Sequence, residues 1–347
     1  MTHDISHPAV TVGIVNYNGS GTLFSVIESV LVQDYSEIQI LVVDNASTDG
    51  SPEAIQKRYP GLKCIHMDRN RGPAAARNVI LNHVDTPYIL FLDNDIVLEP
   101  DVVGKLVRIM GSHPEITLCH PEIRDHQDPD AHHYNGGWIH YLGSFISRQP
   151  PHPADRRPEF EVFDTVSGAA MMVMRMPAID AGGFDEDYFF NWEDGDFCIR
   201  LTLMGYRCVN APSAVVYHQS KSRGTSKVFY QARNRWFFML KLYSWRSLAL
   251  FLPMLAVFEL GQIMLVLFKG GIRDYLKGLA HVIQSWPSIR LKRNRFQPHK
   301  QITDRDWLKS GVMFVPRQLS GNGMTLQISR ILFSVFDLWW RIIRSVM

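Results

Sequence analysis

An α/β fold, a sheet of parallel strands with helices on both faces, is predicted by three observations. Short β-rich runs alternate with helix-patterned segments between residues 10 and 95. The polar clusters at 16–18, 44–49 and 93–95 each directly follow such a run, and ligands in open α/β sheets bind beyond the carboxyl ends of the strands. Apolar residues make up 46% of the 347-residue chain, enough to fill a core between layers.

The elements follow in order. Val10 to Val15 is β-rich and ends in Asn16-Tyr17-Asn18-Gly19, a turn signal. Thr22 to Val32 carries apolar residues at helical spacing. Ile38 to Val43 reads as a second buried strand, followed by the polar run Asp44 to Gly50 and a helix from about Ser51 to Tyr59. Leu62 to His66 is a short third strand, after which Asn70-Arg71-Gly72-Pro73 opens a helix through Arg77 and Asn78. No Gly-x-Gly-x-x-Gly follows any of these strands and no P-loop is present, which argues against a dinucleotide oxidoreductase and a P-loop enzyme.

Tyr88 to Leu92 is an apolar run that stops at Asp93-Asn94-Asp95. Strand alternation puts Asp93 and Asp95 on one side, where two like charges are unfavourable without a cation. Hard carboxylate oxygens at short spacing suit Mg²⁺ or Mn²⁺, with a phosphate-bearing substrate completing the shell. The plainer alternative is a solvated Asp/Asn turn.

Residues 120–163 are poorly patterned and read as loops with short strands. His126, His132, His133 and His140 there lack metal-site spacing and are expected as surface or acceptor-loop histidines. Val166 to Met174 returns to a buried strand, its methionines filling core. Glu193 and Asp194 open a helix, where carboxylates are stabilised and one of Glu193, Asp194 and Asp196 is expected to cap. Val215 to His218 is a last short strand.

The last third differs in kind. Residues 221–347 hold 21 Lys/Arg against 5 Asp/Glu, and residues 1–220 hold 15 against 29. Such polarity between halves points to an anionic partner surface. Leu248 to Phe268 is long enough to span a bilayer, but Pro253, Glu259, Gly261 and Gln262 interrupt it. Ile331 to Met347 is aromatic, basic and amphipathic, with Trp339 and Trp340 read as interfacial. A membrane surface is therefore the expected partner, and the basic–aromatic alternation of a nucleic-acid scaffold is missing. A buried core helix or a homodimer interface is the competing reading of 248–268. The four cysteines have no metal spacing and fit a reducing compartment as core residues. The N-terminus has no signal-type apolar core, so no secretion is expected.

Taken together, Asp44, Ser47 and Asp49; Asn70, Gly72, Arg77 and Asn78; Asp93-Asn94-Asp95; Gly183-Phe184-Asp185 with Glu193, Asp194 and Asp196; and His218 occur in this order. Over about residues 8–220 this set resembles glycosyltransferase family 2, in its rhamnosyltransferase-like branch. The resemblance implies a GT-A fold: a Rossmann-like mixed sheet flanked by helices, with a nucleotide-binding half (about 8–98) and an acceptor half (about 99–220). A mostly helical, basic, membrane-associated region (221–347) would follow.

It also implies roles. Tyr17, Asn18, Asp44, Asn45, Ser47, Asn70, Gly72, Arg77, Asp93 and Asn94 would bind the donor nucleotide. Asp93, Asp95 and His218 would sit at a divalent metal, Mg²⁺ or Mn²⁺. Asp194 would be the catalytic base with Glu193 beside it. From the residues alone, Trp192 and Gly168 are acceptor-side candidates, Trp192 for stacking on a sugar, although packing explains a Trp about as well. The expected activity is inverting, metal-dependent transfer of one sugar from dTDP-rhamnose, or another dTDP- or UDP-sugar, to a lipid-linked or cell-surface glycan acceptor. It would take place at the cytoplasmic face of a membrane. Gln231-Ala232-Arg233-Asn234-Arg235-Trp236 is one residue longer than the Gln-x-x-Arg-Trp of processive synthases, which favours single-sugar transfer and reads as the start of an amphipathic helix. Two rivals remain, a sugar nucleotidyltransferase and a non-catalytic nucleotide-binding membrane scaffold. The loop after the first strand lacks the basic residue that the former needs, and the intact Asp93, Asp95, Asp194 and His218 argue against the latter.

Overall fold

The computed structural model describes residues 7–128, 135–147, 158–219, 227–313 and 323–347. The chain divides into two compact units. The first comprises Met1–Gly136, Pro150–Thr202 and Tyr206–Arg223; the second comprises Gly137–Gln149, Leu203–Gly205 and Gly224–Met347.

The first unit begins with β1 (Val10–Asn16), α1 (Leu23–Leu31), β2 (Ile38–Asp44), α2 (Ser51–Arg58), β3 (Lys63–His66), α3 (Gly72–His83) and β4 (Tyr88–Asp93). β5 (Ile96–Leu98), α4 (Val102–Ser112) and β6 (Ile116–Asp125) follow. The chain then makes the hairpin β7 (Gly137–His140) and β8 (Ser144–Ser147), which groups with the second unit. It returns as β9 (Glu161–Phe163), β10 (Ala170–Met174), α5 (Arg175–Asp180), α6 (Glu193–Leu203) and β11 (Arg207–His218).

The main sheet runs β3-β2-β1-β4-β10-β6-β11-β5, with β9 on β11. Its first four strands are parallel, and β10 is antiparallel to both β4 and β6. The sheet is therefore mixed. Parallel strands buried on both faces read as continuous apolar runs, and Ile89 to Leu92 of β4 are fully buried. Val26, Ile27 and Val30 of α1 pack with Val12, Ile14 and Leu92 into the same core, as do Leu106 and Met110 of α4. Two strands are longer or later than their sequence suggests. β11 covers 12 residues because it crosses an irregularity between Ala211 and Val215, where polar and proline residues hide its continuity. β10 begins only at Ala170, leaving Ser167 and Gly168 in the preceding turn.

The second unit adds α7 (Val228–Leu242), α8 (Trp245–Phe268), α9 (Ile272–Gln284), α10 (Trp286–Phe296), α11 (Asp304–Trp307) and α12 (Gly323–Arg344) to the hairpin. Gln231 to Trp236 lie inside α7, with Arg233, Asn234 and Arg235 buried. His140 departs from its expectation as a surface or acceptor-loop residue. It is fully buried on β7, stacked on Tyr141, and burial pushes its imidazole down to about 3, so it is a neutral core residue. Trp340 is likewise core rather than interfacial, stacking on Tyr141 with centroids 5.2 Å apart. His132 and His133 lie outside the described residues.

Candidate active site

The parallel pairing of β1 with β2 sets Asn16 directly beside Asp44. Asn16, fully buried, is the hub of the network that follows. Its Nδ2 lies 2.8 Å from Asp44 Oδ1, 2.9 Å from Ser51 Oγ and 3.1 Å from Ser47 Oγ, and its Oδ1 accepts from Asn94 Nδ2 at 2.8 Å. Ser47 donates its hydroxyl to Asp44 Oδ1 and its backbone N–H to Oδ2, which fixes the buried carboxylate. Asn18 joins through its backbone N–H to Ser47 Oγ. Asn45 reaches across to the α3 entrance, donating to Asn70 Oδ1 and Gly72 O and accepting from Arg71 N. Tyr17 stands exposed at the rim. Of the residues expected at the nucleotide, Tyr17, Asn18, Asp44, Asn45, Ser47, Asn70, Gly72 and Asn94 thus gather at the ends of β1 and β2 and the start of α3, whereas Arg77 and Asp93 join a second group. Asn16 was visible in the sequence only as a turn residue.

Arg77 ties that second group together. It is 2% exposed on α3. Its Nη2 donates to Asp93 Oδ1 at 2.9 Å and to Gly168 O at 2.8 Å, and its Nη1 faces Glu193 Oε1 at 3.4 Å. The guanidinium lies 5.5 Å from the Phe184 ring centroid. Gly168 also donates its N–H to Asp194 Oδ2 at 2.8 Å, and Gly195 N–H bonds Oδ1 at 2.7 Å. A Cβ on Gly168 would lie 2.8 Å from Asp194 Cβ and 3.1 Å from both terminal nitrogens of Arg77, so the turn accommodates glycine alone.

The electrostatics follow from this burial. Desolvation would lower the Arg77 pKa, but Asp93, Glu193 and Asp194 outweigh it and hold the guanidinium charged. Glu193 is pushed up to about 7 by burial, with the Asp194 charge adding to the effect and Arg77 only partly opposing it. Burial likewise raises Asp93 against the pull of Arg77.

Asp93 and Asp95 part company at the strand end. The chain turns after Asp93, so Asp93 faces Arg77 while Asp95 Oδ1 lies 3.4 Å from His218 Nε2. Burial alone would lower the His218 pKa, but its hydrogen bond to Asp95 and that carboxylate's charge raise it. Among the described residues no three His, Cys, Asp or Glu side chains are arranged to hold a metal by themselves. Asp95 and His218 nevertheless fit as a pair, because Mg²⁺ and Mn²⁺ are commonly held by one or two protein ligands plus substrate phosphate oxygens. A cavity of about 260 Å³ opens beside them, walled by Thr22, Asp125, His126, His218 and Gln219.

The entrance to α6 is strained. Phe189, Asn191 and Trp192 have φ of 59°, 69° and 79°, a left-handed conformation that bulky residues avoid and that concentrates at functional sites. The Trp192 indole is buried, the placement that packing requires. Asp196 serves the scaffold, accepting from Tyr188 Oη and Arg200 Nε. Asn78 ties α3 to the chain ahead of that segment by exchanging hydrogen bonds with the Phe184 backbone.

The sequence profile described as "Glycosyl transferase family 2" matches residues 11–180. The chain belongs to glycosyltransferase family 2. This glycosyltransferase is 28% identical over 236 residues to the N-acetylglucosaminyl-diphospho-decaprenol L-rhamnosyltransferase of Mycobacterium tuberculosis, covering 60% of the chain and 76% of that protein. Its fold is similar to a mannosyltransferase from Pyrobaculum calidifontis solved with GDP-Man and Mn²⁺, with a TM-score of 0.52 and 18% identity, covering 96% of this chain and 88% of that one. GalNAc-T7, solved with UDP, GalNAc and Mn²⁺, gives a TM-score of 0.58 at 16% identity, covering 82% of this chain and 58% of that one. At those identities the likeness shows the GT-A fold alone.

Proposed function

We propose that this glycosyltransferase moves a single sugar, L-rhamnose from dTDP-rhamnose or the sugar of another dTDP- or UDP-donor, to a prenyl-diphosphate-linked saccharide, inverting the anomeric centre. The acceptor class is suggested by the mycobacterial relative's name. The observation that supports the reading is a buried Arg77 joined to Asp93, Glu193 and Gly168, the last of which also donates its N–H to Asp194.

In this reading the Asn16–Asp44–Ser47 network holds the nucleoside, and Arg77 orients Asp93 and favours its charged form against the desolvation that raises its pKa. Asp95 and His218 would hold a divalent cation, which when bound neutralises charge on the diphosphate leaving group. Asp194 is held by two backbone amides, each to a different oxygen, and a carboxylate oxygen has a second lone pair. That lone pair takes the acceptor's hydroxyl proton as its oxygen attacks the anomeric carbon and the bond to the diphosphate breaks. Attack from the face opposite the leaving group inverts the configuration. The work would take place at the cytoplasmic face of a membrane, where lipid-linked acceptors lie.

A thermal-shift screen of the purified protein against UDP-, dTDP- and GDP-sugars, with and without Mn²⁺, tests the donor site. A ligand that binds only the folded state raises the melting temperature by mass action. A metal-dependent rise with one nucleotide class supports the reading. No rise with any nucleotide, in a folded sample, overturns it.

A further inference from the structure

Among the described residues α8 is the one helix long and apolar enough to cross a membrane. Its surroundings in the second unit forbid that path. α7 ends at Leu242 and α8 begins at Trp245; α8 ends at Phe268 and α9 begins at Ile272. A helix crossing a bilayer once leaves its two flanking segments on opposite sides. Here the flanks pack on each other. A Cβ on Gly278 of α9 would lie 2.7 Å from the Phe229 carbonyl of α7, and Ala232, Val266 and Tyr275 form one small core. Glu259, two-thirds of the way along α8, is paired with the buried Arg235 of α7 and accepts from the Tyr275 hydroxyl of α9. Spanning would strip that carboxylate of both partners and place it inside the hydrocarbon.

α8 nevertheless does not look like a core helix. Ser247, Phe251 and Leu255 are buried on one face. Leu252, Leu260, Met264 and Leu267 form a second, exposed apolar stripe that ends at Phe268, 88% exposed. α12 repeats the design: Phe336, Trp340 and Ile343 are buried, while Ile331, Val335, Leu338 and Ile342 are exposed at successive turns. Phe258 and Phe336 bring the two helices ring to ring. Apolar surface of this extent marks an interaction site. Its neighbours are cationic: Lys269, Arg273 and Lys277 are exposed at four-residue spacing, and Arg341 and Arg344 of α12 are exposed one turn apart.

We propose that the second unit is a monotopic anchor. α8 and α12 lie in the plane of an anionic bilayer surface with their outer stripes sunk to the acyl boundary, the basic residues meet lipid headgroups, and Arg235, Glu259 and Tyr275 hold α8 to the protein. The charge excess of residues 221–347 selects this occupant, since apolar stripes flanked by Lys and Arg match anionic lipid. The inference rests on the membrane-surface part of the proposed function and fixes how that surface is engaged.

The test uses the full chain and sealed vesicles of phosphatidylcholine with or without phosphatidylglycerol, whose negative charge attracts basic clusters. Flotation should require phosphatidylglycerol and fall about tenfold in Leu260→Glu/Met264→Glu, whose nucleotide-sugar thermal shift stays unchanged. Arg246→Cys and Lys269→Cys, at the two ends of α8, should both react with a membrane-impermeant maleimide added outside, above the level of the parent cysteines. Protection of one end in floated protein overturns the in-plane arrangement and leaves membrane binding standing. Absence of flotation, or a lipid-independent dimer that shields residue 260, overturns the anchor altogether while the nucleotide thermal shift still reports on the donor site.

Discussion

Asp93 and Asp95 are separated in sequence by Asn94 alone yet bind different partners, Asp93 the Arg77 guanidinium at 2.9 Å and Asp95 the His218 ring at 3.4 Å. One carboxylate organises the protein, and the other is the one we propose as a cation ligand. Asp95→Asn and His218→Ala should therefore each raise the Mn²⁺ concentration needed for half-maximal turnover, by about 10- to 100-fold, the range for weakened metal sites. A metal titration of initial rates checks this, and the melting temperature should move little.

Arg77 should behave in the opposite way. Removing it strands Asp93 and a buried Glu193. Arg77→Ala should cost about 3–5 kcal/mol in urea unfolding, as expected when one partner of a buried ion pair is lost. Arg77→Lys should not restore it, because a single ammonium cannot reach Asp93, Gly168 and Glu193 together.

Gly168→Ala should separate activity from stability. The added methyl meets Asp194 Cβ at 2.8 Å, so the carboxylate must shift. Turnover should fall about 100-fold, as ångström-scale misplacement of a catalytic group does, while nucleotide binding by thermal shift is retained.

Glu193 predicts a pH signature. Its folded-state value of about 7 lies above its ordinary 4.5. A raised value means the folded state favours the protonated form, so the stabilisation is complete below 4.5 and is lost as pH climbs through 7. Wild-type protein should lose up to about 3 kcal/mol over that window relative to Glu193→Gln, taking 1.36 kcal/mol per pH unit. Denaturant midpoints at pH 4.5, 6 and 7.5 read it directly.

Much of this was legible before any coordinates. Apolar runs closed by turn residues located β1, β2 and β4, and their polar ends gave Asp44, Asp93 and Asp95, since the physics that makes a buried parallel strand also leaves a visible boundary. What stayed hidden depends on contacts distant in sequence. The Arg77–Glu193 contact joins residues 116 apart. Asn16 looked like half of a turn because its role depends on Asp44 and Asn94 arriving beside it. His140 sits in a polar stretch of sequence yet is buried by aromatic residues far along the chain, Phe336 among them. The positive φ at Phe189, Asn191 and Trp192 breaks a local rule that no pattern in those residues announces.

The assignment of Asp194 as base is the centre of the account. Its direct measurement is turnover by wild type and Asp194→Asn with dTDP-rhamnose, Mn²⁺ and a prenyl-diphospho-N-acetylglucosamine acceptor. Nucleoside diphosphate release and the anomeric configuration of the product by NMR provide the readouts. Wild type should attach one sugar with inverted configuration, and Asp194→Asn should lose at least about 100-fold in kcat, the scale of general-base catalysis, with donor binding kept. A retained configuration, or an Asp194→Asn variant turning over near the wild-type rate, would contradict it.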